Sequence, residues 1–290
     1  MLSFLGVLFD GLAYGALLFV ISVGLSITLG LMGFNNLAHG VFAMAGGYLL
    51  VTLMGKAGIG FLPALPVVFL VIALVSVVFE RTLYRPLYKS TPLNQVLLTV
   101  GIIFIATAGA NYFWGPGQQP VVVPEWLDGQ YSLVTGLDLS RYRLFLMAVV
   151  AVITVALIFG LERTRLGAMI RASVDNQRTA EAMGIRVDRV FQWTFALGSG
   201  LAGLGGALGV NVLGLDLNFS LHYLVYFLLV VVVGGPGSVF GTLLASLLLG
   251  IADIAGKYYI PQVGAFIIYA AMVFLLLLFP QGLLGRRKAK

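Results

Sequence analysis

The chain has 290 residues, of which 60% are hydrophobic and only 10% are charged. A typical soluble domain contains about 25% charged residues, and a soluble fold of this size could not remove so much apolar surface from water. The chain has no cysteine, so disulfides, thiolate nucleophiles and cysteine-ligated metals are excluded. The composition therefore indicates an integral membrane protein.

Nine apolar runs follow one another along the chain. They are 12–32, 41–54, 61–79, 93–113, 142–161, 191–212, 223–233, 238–255 and 263–279. In lipid, backbone groups must be paired within the segment, so each run is expected to be helical. The first run has no preceding Lys or Arg and no small-residue cleavage site, so we interpret it as a span rather than a signal peptide. The sequence predicts an all-α, polytopic transmembrane bundle of roughly 8–10 spans, forming a single domain over 1–290.

The basic residues are concentrated in three segments, 81–92, 162–189 and the tail from 286, which hold 13 of the 17 Lys and Arg residues. The loop 114–140 carries three acidic residues instead. The positive-inside rule predicts that the three basic segments, including the C-terminus, are cytoplasmic and that loop 114–140 lies outside. The net charge of +6 is thus explained by topology, and we expect no nucleic-acid partner.

Two of the runs, 41–54 and 223–233, are too short to cross a hydrocarbon core of about 30 Å. Each follows a polar stretch, and they are the second and seventh runs, so the two segments would run in opposite directions. This pattern is typical of an inverted repeat with interrupted helices. Two ordinary loops are the alternative, since the sequence similarity is limited to Asn36-x-x-His39 against Asn218-x-x-x-His222.

Polar side chains within apolar segments are costly in lipid and usually face a cavity or a partner. The candidates for a solute pathway at the two breaks are Asn35, Asn36, His39, Asn211, Asp216, Asn218 and His222. A structural role at a helix break is the alternative for each. Asp253, near the outer end of its run, is expected to reach the membrane surface or to cap a helix.

A phosphate-binding GxxxxGK[ST] loop is absent from the sequence, so any ATP that drives transport must be bound by another chain. The polar loop 162–189 predicts a short surface helix near 173–183. Ser173 or Asp175 would cap its start and Gly184 would end it. A solvated loop whose arginines only set the topology is the alternative interpretation.

Five segments of the sequence carry recognisable short motifs. They are Arg165-Leu-Gly-Ala-Met-Ile-Arg171 with Ala180-Glu-Ala-Met-Gly-Ile185, Asn35-Asn-Leu-Ala-His39-Gly40, the glycine-rich stretch from Phe195 to Gly206, Gly234-Gly-Pro-Gly-Ser238, and Pro280-Gln-Gly-Leu-Leu-Gly-Arg286. Together they resemble permeases of the branched-chain amino acid ABC importer family, and the shorter of its two permease types. The resemblance covers nearly the whole chain.

The resemblance implies a permease subunit that moves branched-chain or related amino acids across the bacterial inner membrane by alternating access. It implies a second permease subunit, identical or homologous, together with two cytoplasmic ATPase subunits and an extracytoplasmic solute-binding protein. No cofactor is expected on this chain, because ATP would be bound by the partners. The ATPase-coupling residues that it implies are Arg171, Asn176, Arg178, Glu181, Ala182 and Gly184. Urea, short amides and aromatic acids are alternative solutes.

Two other classes of protein are alternatives. A stand-alone channel or ion-coupled carrier would carry carboxylates in mid-span, and only Asp216 and Asp253 come close to such a position. A membrane-embedded enzyme needs a nucleophile beside a base, whereas the two histidines are distant in sequence and cysteine is absent. The 28-residue polar loop 162–189 favours a chain with a cytoplasmic partner, and hence the permease.

Overall fold

The computed structural model describes residues 2–32, 34, 36–88, 90–134 and 137–284. These residues form eleven α-helices and one two-stranded hairpin. The elements are α1 (Leu2–Met32), α2 (His39–Gly55), α3 (Phe61–Phe79), α4 (Pro92–Trp114), β1 (Gln130–Val134), β2 (Leu137–Ser140), α5 (Arg141–Arg163), α6 (Arg165–Asp175), α7 (Gln177–Ala182), α8 (Val187–Leu213), α9 (Phe219–Gly234), α10 (Val239–Tyr259) and α11 (Gly264–Leu278). A π-helical turn (Glu80–Tyr84) and a 3-10 turn (Arg85–Leu87) extend α3.

Six helices are long and apolar enough to cross a membrane, judged by length and composition: α1, α3 with its extension, α4, α5, α8 and α10. The shorter apolar helices are α2, α9 and α11. The nine helices correspond to the nine apolar runs, which confirms an all-α polytopic membrane bundle. The ninth run, 263–279, forms α11, which ends at Leu278 before Pro280.

Helices α1 and α8 form the centre of the bundle. Helix α1 packs against α8 and α10, and α8 also packs against α2 and α3. Glycines let these backbones touch. A methyl group on Gly206 of α8 would overlap the carbonyl oxygen of Ala43 in α2, and Gly24 of α1 directly opposes Gly198 of α8. The glycine-rich stretch of the sequence is therefore a packing surface inside the bundle.

The two interrupted helices run in opposite directions. Ala43 opposes Gly206 and Gly47 opposes Val210, so α2 lies parallel to α8. Helix α1 lies antiparallel to both α8 and α10, and a tight turn joins α9 to α10. Helix α9 is therefore antiparallel to α2, as the interrupted-helix interpretation requires.

The same turn precedes α2 and α9. The backbone N–H of His39 donates to the carbonyl of Asn36, and that of Phe219 donates to the carbonyl of Asp216, at 3.3 Å in both cases. Asn36 is thus the structural equivalent of Asp216, and His39 is the equivalent of Phe219. The sequence match of His39 with His222 was wrong, because His222 lies in the first turn of α9 and not at its start.

The loop between α4 and α5 contains a β-hairpin that the sequence did not predict. Strand β1 pairs antiparallel with β2, with an irregularity in the register between residues 132 and 134. The guanidinium of Arg141 lies 4.6 Å from the centre of the Tyr131 ring, and the backbone N–H of Gln119 donates to the carbonyl of Leu215. The hairpin is thereby held at one end of the bundle, called the hairpin end below.

The polar loop 162–189 contains two helices rather than the single predicted helix near 173–183. The backbone turns to an extended conformation at Asn176, which separates α6 from α7. The side chain of Asn176 accepts a hydrogen bond from the N–H of Thr179, so Asn176 caps α7 in place of Ser173 or Asp175. Gly184 has a φ of +83°, and this left-handed turn after α7 confirms the predicted helix stop.

Candidate solute pathway and coupling region

The break before α2 holds two buried polar side chains. His39 is 1% exposed, and its Nε2 donates to the carbonyl oxygen of Ile21 in α1 at 2.9 Å. Asn36 is 2% exposed and its Oδ1 accepts from the hydroxyl of Tyr84 at 3.1 Å. The Nδ2 of Asn36 has no partner among the described residues. Both side chains face neighbouring helices rather than lipid, whereas Asn35 lies outside the described residues.

Aromatic rings connect this break to α3 and α8. The ring of Phe34 contacts the ring of Tyr84 at 5.4 Å and that of Tyr88 at 5.8 Å between centroids, in edge-to-face geometry. Tyr84 in turn contacts Phe195 of α8 at 4.8 Å. Because such rings are rigid and closely packed, the start of α2 is mechanically linked to the end of α3.

A buried polar network joins the end of α3 to α8. Glu80 is completely buried, its Oε1 accepts from the Tyr88 hydroxyl at 2.9 Å, and its Oε2 accepts from Nε2 of Gln192 at 3.2 Å. Arg81 donates to Oε1 of Gln192 at 3.3 Å. Burial, followed by the charge of Glu80, raises the pKa of Tyr88, so the hydroxyl stays protonated and keeps donating. This network was not predicted from the sequence, although a lone acid at the end of an apolar run was a signal for it.

A second link reaches the segment after α7. Arg85, at the end of α3, forms an ion pair with Asp188 at the start of α8. A cavity of about 430 Å³ lies beside this pair and includes Glu181, Arg186 and Arg189 in its lining. The chain that leaves α7 is thus attached directly to α3 and α8.

The six predicted coupling residues divide into two groups. Arg171 is half-buried and donates to the carbonyl of Leu161 near the end of α5, and Asn176 caps α7, so both have structural contacts. Arg178, Ala182 and Gly184 are exposed. Glu181 is also exposed, and its carboxylate accepts from Gln177 at 3.0 Å. The exposed group forms one surface at the end of α7 that is free to contact another chain.

The polar residues near α9 occupy a different place from Asn36 and His39. Asp216 accepts from the backbone N–H of Asn218 at 2.9 Å, which holds the turn before α9. Asn218 and Asn211 are exposed, and Asn211 lines a cleft of about 660 Å³ under the hairpin. The structure thus splits the predicted pathway residues between the start of α2 and the hairpin end.

The starts of the two interrupted helices nevertheless meet inside the bundle. A methyl group on Gly40 would lie 2.8 Å from the carbonyl oxygen of Ser220. The hydroxyl of Ser220 is buried and has no partner among the described residues. The sequence did not reveal this contact, because serine at the second position of an apolar helix carries no distinctive signal.

His222 lines a further cavity of about 200 Å³ between α1, α5, α8, α9 and α10. Its ring stacks on that of Tyr226, with centroids 6.3 Å apart and an angle of 14° between the planes.

Below this cavity, Asp253 is completely buried and accepts from Lys257 at 2.5 Å. The expectation that Asp253 reaches the surface or caps a helix was therefore wrong, because its buried carboxylate pairs with Lys257 one turn later. In the described part of the chain, no group of three or more His, Asp or Glu side chains could hold a metal ion.

The sequence also matches known proteins over nearly its whole length. A family model described as branched-chain amino acid transport system / permease component matches residues 7–279. The high-affinity branched-chain amino acid transport system permease protein LivH of Escherichia coli strain K12 is 28% identical, over 98% of this chain and 96% of the relative. LivH of Salmonella typhimurium is 27% identical over the same shares, and BraD of Pseudomonas aeruginosa is 27% identical over 96% and 95%. No solved structure matches. With its bundle of apolar helices and this full-length similarity, the chain belongs to the permease component family of branched-chain amino acid transport systems.

Proposed function

We propose that this chain is the membrane-spanning permease subunit of an ABC importer for branched-chain or related amino acids in the bacterial inner membrane. The observation that carries the proposal is the match over 95% or more of the relatives LivH and BraD, which are named for that transport. The complex would contain a second permease subunit, identical or homologous, two ATPase subunits and an extracytoplasmic solute-binding protein. ATP would be bound and hydrolysed by the ATPase subunits.

The charge distribution supports an orientation for the bundle. Loop 162–189 and the tail are rich in arginine and lysine, which favours the cytoplasmic side, whereas loop 114–140 is acidic. In this orientation α7 faces the ATPase and the hairpin end faces the solute-binding protein. The C-terminus is then cytoplasmic.

Helix α7 is the proposed contact with the ATPase. It is a short helix that leaves Glu181 and Ala182 exposed, and Gly184 turns the chain sharply behind it. A small side chain such as Ala182 allows a short helix to enter a cleft. Polar residues flanking it, including Arg178, would contact the rim of that cleft.

The contacts described above support a route for motion from α7 to the solute pathway. The segment after α7 is attached to α3 by the pair Arg85–Asp188, and α3 is attached to α8 by Glu80. Tyr84 in α3 donates to Asn36 at the break before α2. A displacement of α7 driven by ATP would therefore be carried through packed groups to the helix break, where the pathway would change the side to which it opens.

The coupling proposal is tested by solute-stimulated ATP hydrolysis of the complete complex in proteoliposomes. Valine at position 184 would have to adopt a positive φ, which costs roughly 1–2 kcal/mol for a residue with a Cβ. The Gly184→Val and Ala182→Trp variants should both insert into the membrane and assemble with their partners. Their solute-stimulated ATP hydrolysis should fall at least tenfold. Gly58→Val is the matched control, because Gly58 has a φ of +65° in an exposed turn after α2, with open space around it.

Normal stimulation in both Gly184→Val and Ala182→Trp would show that the loop only sets topology. The solute part of the proposal is tested separately in the same vesicles. Uptake of leucine, isoleucine and valine should exceed uptake of urea, acetamide and benzoate. Preference for one of the latter three would contradict it.

A further inference from the structure

The cavity beside His222 is built from charged and aromatic side chains of four helices. We call it the α9 cavity and define it by Asp10, Tyr14, Arg143, His222, Tyr226 and Lys257. These residues come from α1, α5, α9 and α10, which are far apart in the sequence. With a volume of about 200 Å³, it is smaller than the roughly 300–1,000 Å³ of pockets for drug-sized ligands. Its size therefore suits a molecule such as a single amino acid.

The charges of the α9 cavity balance. Arg143 of α5 forms an ion pair with Asp10 of α1, and Lys257 forms one with Asp253 beneath the wall. Two cations and two carboxylates leave no net charge, so a ligand with one positive and one negative group would preserve neutrality, whereas a simple ion would not. The side chains of Asp10 and Arg143 are 37% and 34% exposed, and a partly exposed pair of this kind is weak. Lys257 is 47% exposed, although its partner Asp253 is fully buried. A ligand could therefore exchange with the Asp10–Arg143 pair and contact the exposed ammonium group of Lys257.

The remaining wall is aromatic and aliphatic. The rings of His222, Tyr223 and Tyr226 pack against one another. Leu146 and Ile254 add aliphatic surface. Aromatic faces attract ammonium groups, and aliphatic walls favour an apolar side chain. The α9 cavity thus combines surfaces for a carboxylate, an ammonium group and a small apolar group.

The α9 cavity adjoins the cleft under the hairpin. That cleft, of about 660 Å³, shares Asp10, Arg143 and Val212 with it and extends to Asp128 and Gln130 of the hairpin loop. A solute released at the hairpin end would meet this cleft first and the α9 cavity next. The cavity also lies beside α9, the interrupted helix whose start contacts α2.

We propose that the α9 cavity is a binding site for a zwitterionic α-amino acid on its way into the permease. The solute carboxylate would lie against Arg143 and Lys257, its ammonium group against Asp10 and the neighbouring rings, and its side chain against Leu146 and Ile254. The inference rests on the proposed function, because it assigns the solute of that transport to particular residues.

The test is solute protection of a single cysteine in the complete reconstituted complex. The chain has no native cysteine, and His222 is exposed within the cavity. With His222→Cys, L-leucine should slow modification by a membrane-impermeant thiol reagent at least fivefold. Isovalerate, which lacks the ammonium group, and isopentylamine, which lacks the carboxylate, should each protect far less. Val212→Cys, on the same wall, provides a second reporter if the first variant fails to assemble.

Two kinds of control sharpen the result. Lys56→Cys, exposed at the end of α2 and outside the cavity, should be modified at the same rate with and without leucine. Arg143→Gln or Lys257→Gln combined with His222→Cys should abolish protection, whereas Lys56→Gln should preserve it. Equal protection by isovalerate and leucine, or none by leucine at saturating concentration, would overturn the proposal. If leucine uptake continued in that case, the proposed function would stand without this site.

Discussion

Replacing Gly206 with alanine tests the backbone contact between α2 and α8. The added methyl group would overlap the carbonyl oxygen of Ala43, so the two helices must separate or shift. Inserting a methyl group into a well-packed core costs about 1–3 kcal/mol. Alanine also stabilises a helix by up to about 1 kcal/mol relative to glycine, which would partly hide the effect. Gly101→Ala in α4 is the matched control, because it shares this gain and has open space around it.

The difference between the two variants isolates the overlap. With about 2–4 °C of melting temperature per kcal/mol for a chain of 150–250 residues, Gly206→Ala should melt roughly 2–12 °C below Gly101→Ala. The measurement is the fraction of detergent-solubilised protein that stays monodisperse after heating. Melting at or above the control temperature would refute the contact. Uptake per folded molecule then shows whether this contact is static or repacks during transport. Static packing leaves uptake per folded molecule unchanged, whereas repacking lowers it.

Three further predictions concern the network, the topology and the pathway. Tyr88→Phe removes a hydrogen bond to the buried carboxylate of Glu80, and should destabilise the protein by about 1–3 kcal/mol; an unchanged melting temperature would show that water replaces the hydroxyl. Single cysteines at Gln130 and Gln177, both exposed, should react with an impermeant reagent from opposite sides of the membrane, and reaction from the same side would contradict the topology. His39→Ala removes the contact with α1 at the helix break and should lower uptake at least tenfold while assembly is retained; normal uptake would leave this histidine with a structural role only.

The helices were predictable from the sequence because an apolar run that crosses lipid must be helical. Nine runs became nine helices, and the opposite directions of α2 and α9 followed from counting them. Gly184 was predictable for a local reason, since its position after a polar helix requires a turn with positive φ. The burial of Asn36 and His39 followed from the cost of polar groups in a membrane.

What remained unpredictable depends on neighbours that are distant in sequence. Glu80 contacts Gln192, which is 112 residues away, and the sequence around either residue does not predict this contact. The charges of the α9 cavity were likewise missed, because Asp10 and Arg143 each lie near the start of an apolar run, where a charged residue is ordinary. The separation of α6 from α7 at Asn176 was missed for a different reason, since asparagine is compatible with both a helix interior and a cap.

The short helix α11 has a consequence for the surrounding bilayer. Its 15 residues span only about 22 Å at 1.5 Å per residue, against a hydrocarbon core of about 30 Å. Unlike α2, it presents large side chains such as Phe266, Phe274 and Leu277 at the surface, 62–76% exposed. Thinning of the lipid beside this edge costs fractions of a kcal/mol per ångström of mismatch. Along the edge formed by α11, hydrophobic mismatch therefore favours contact with another protein over contact with lipid.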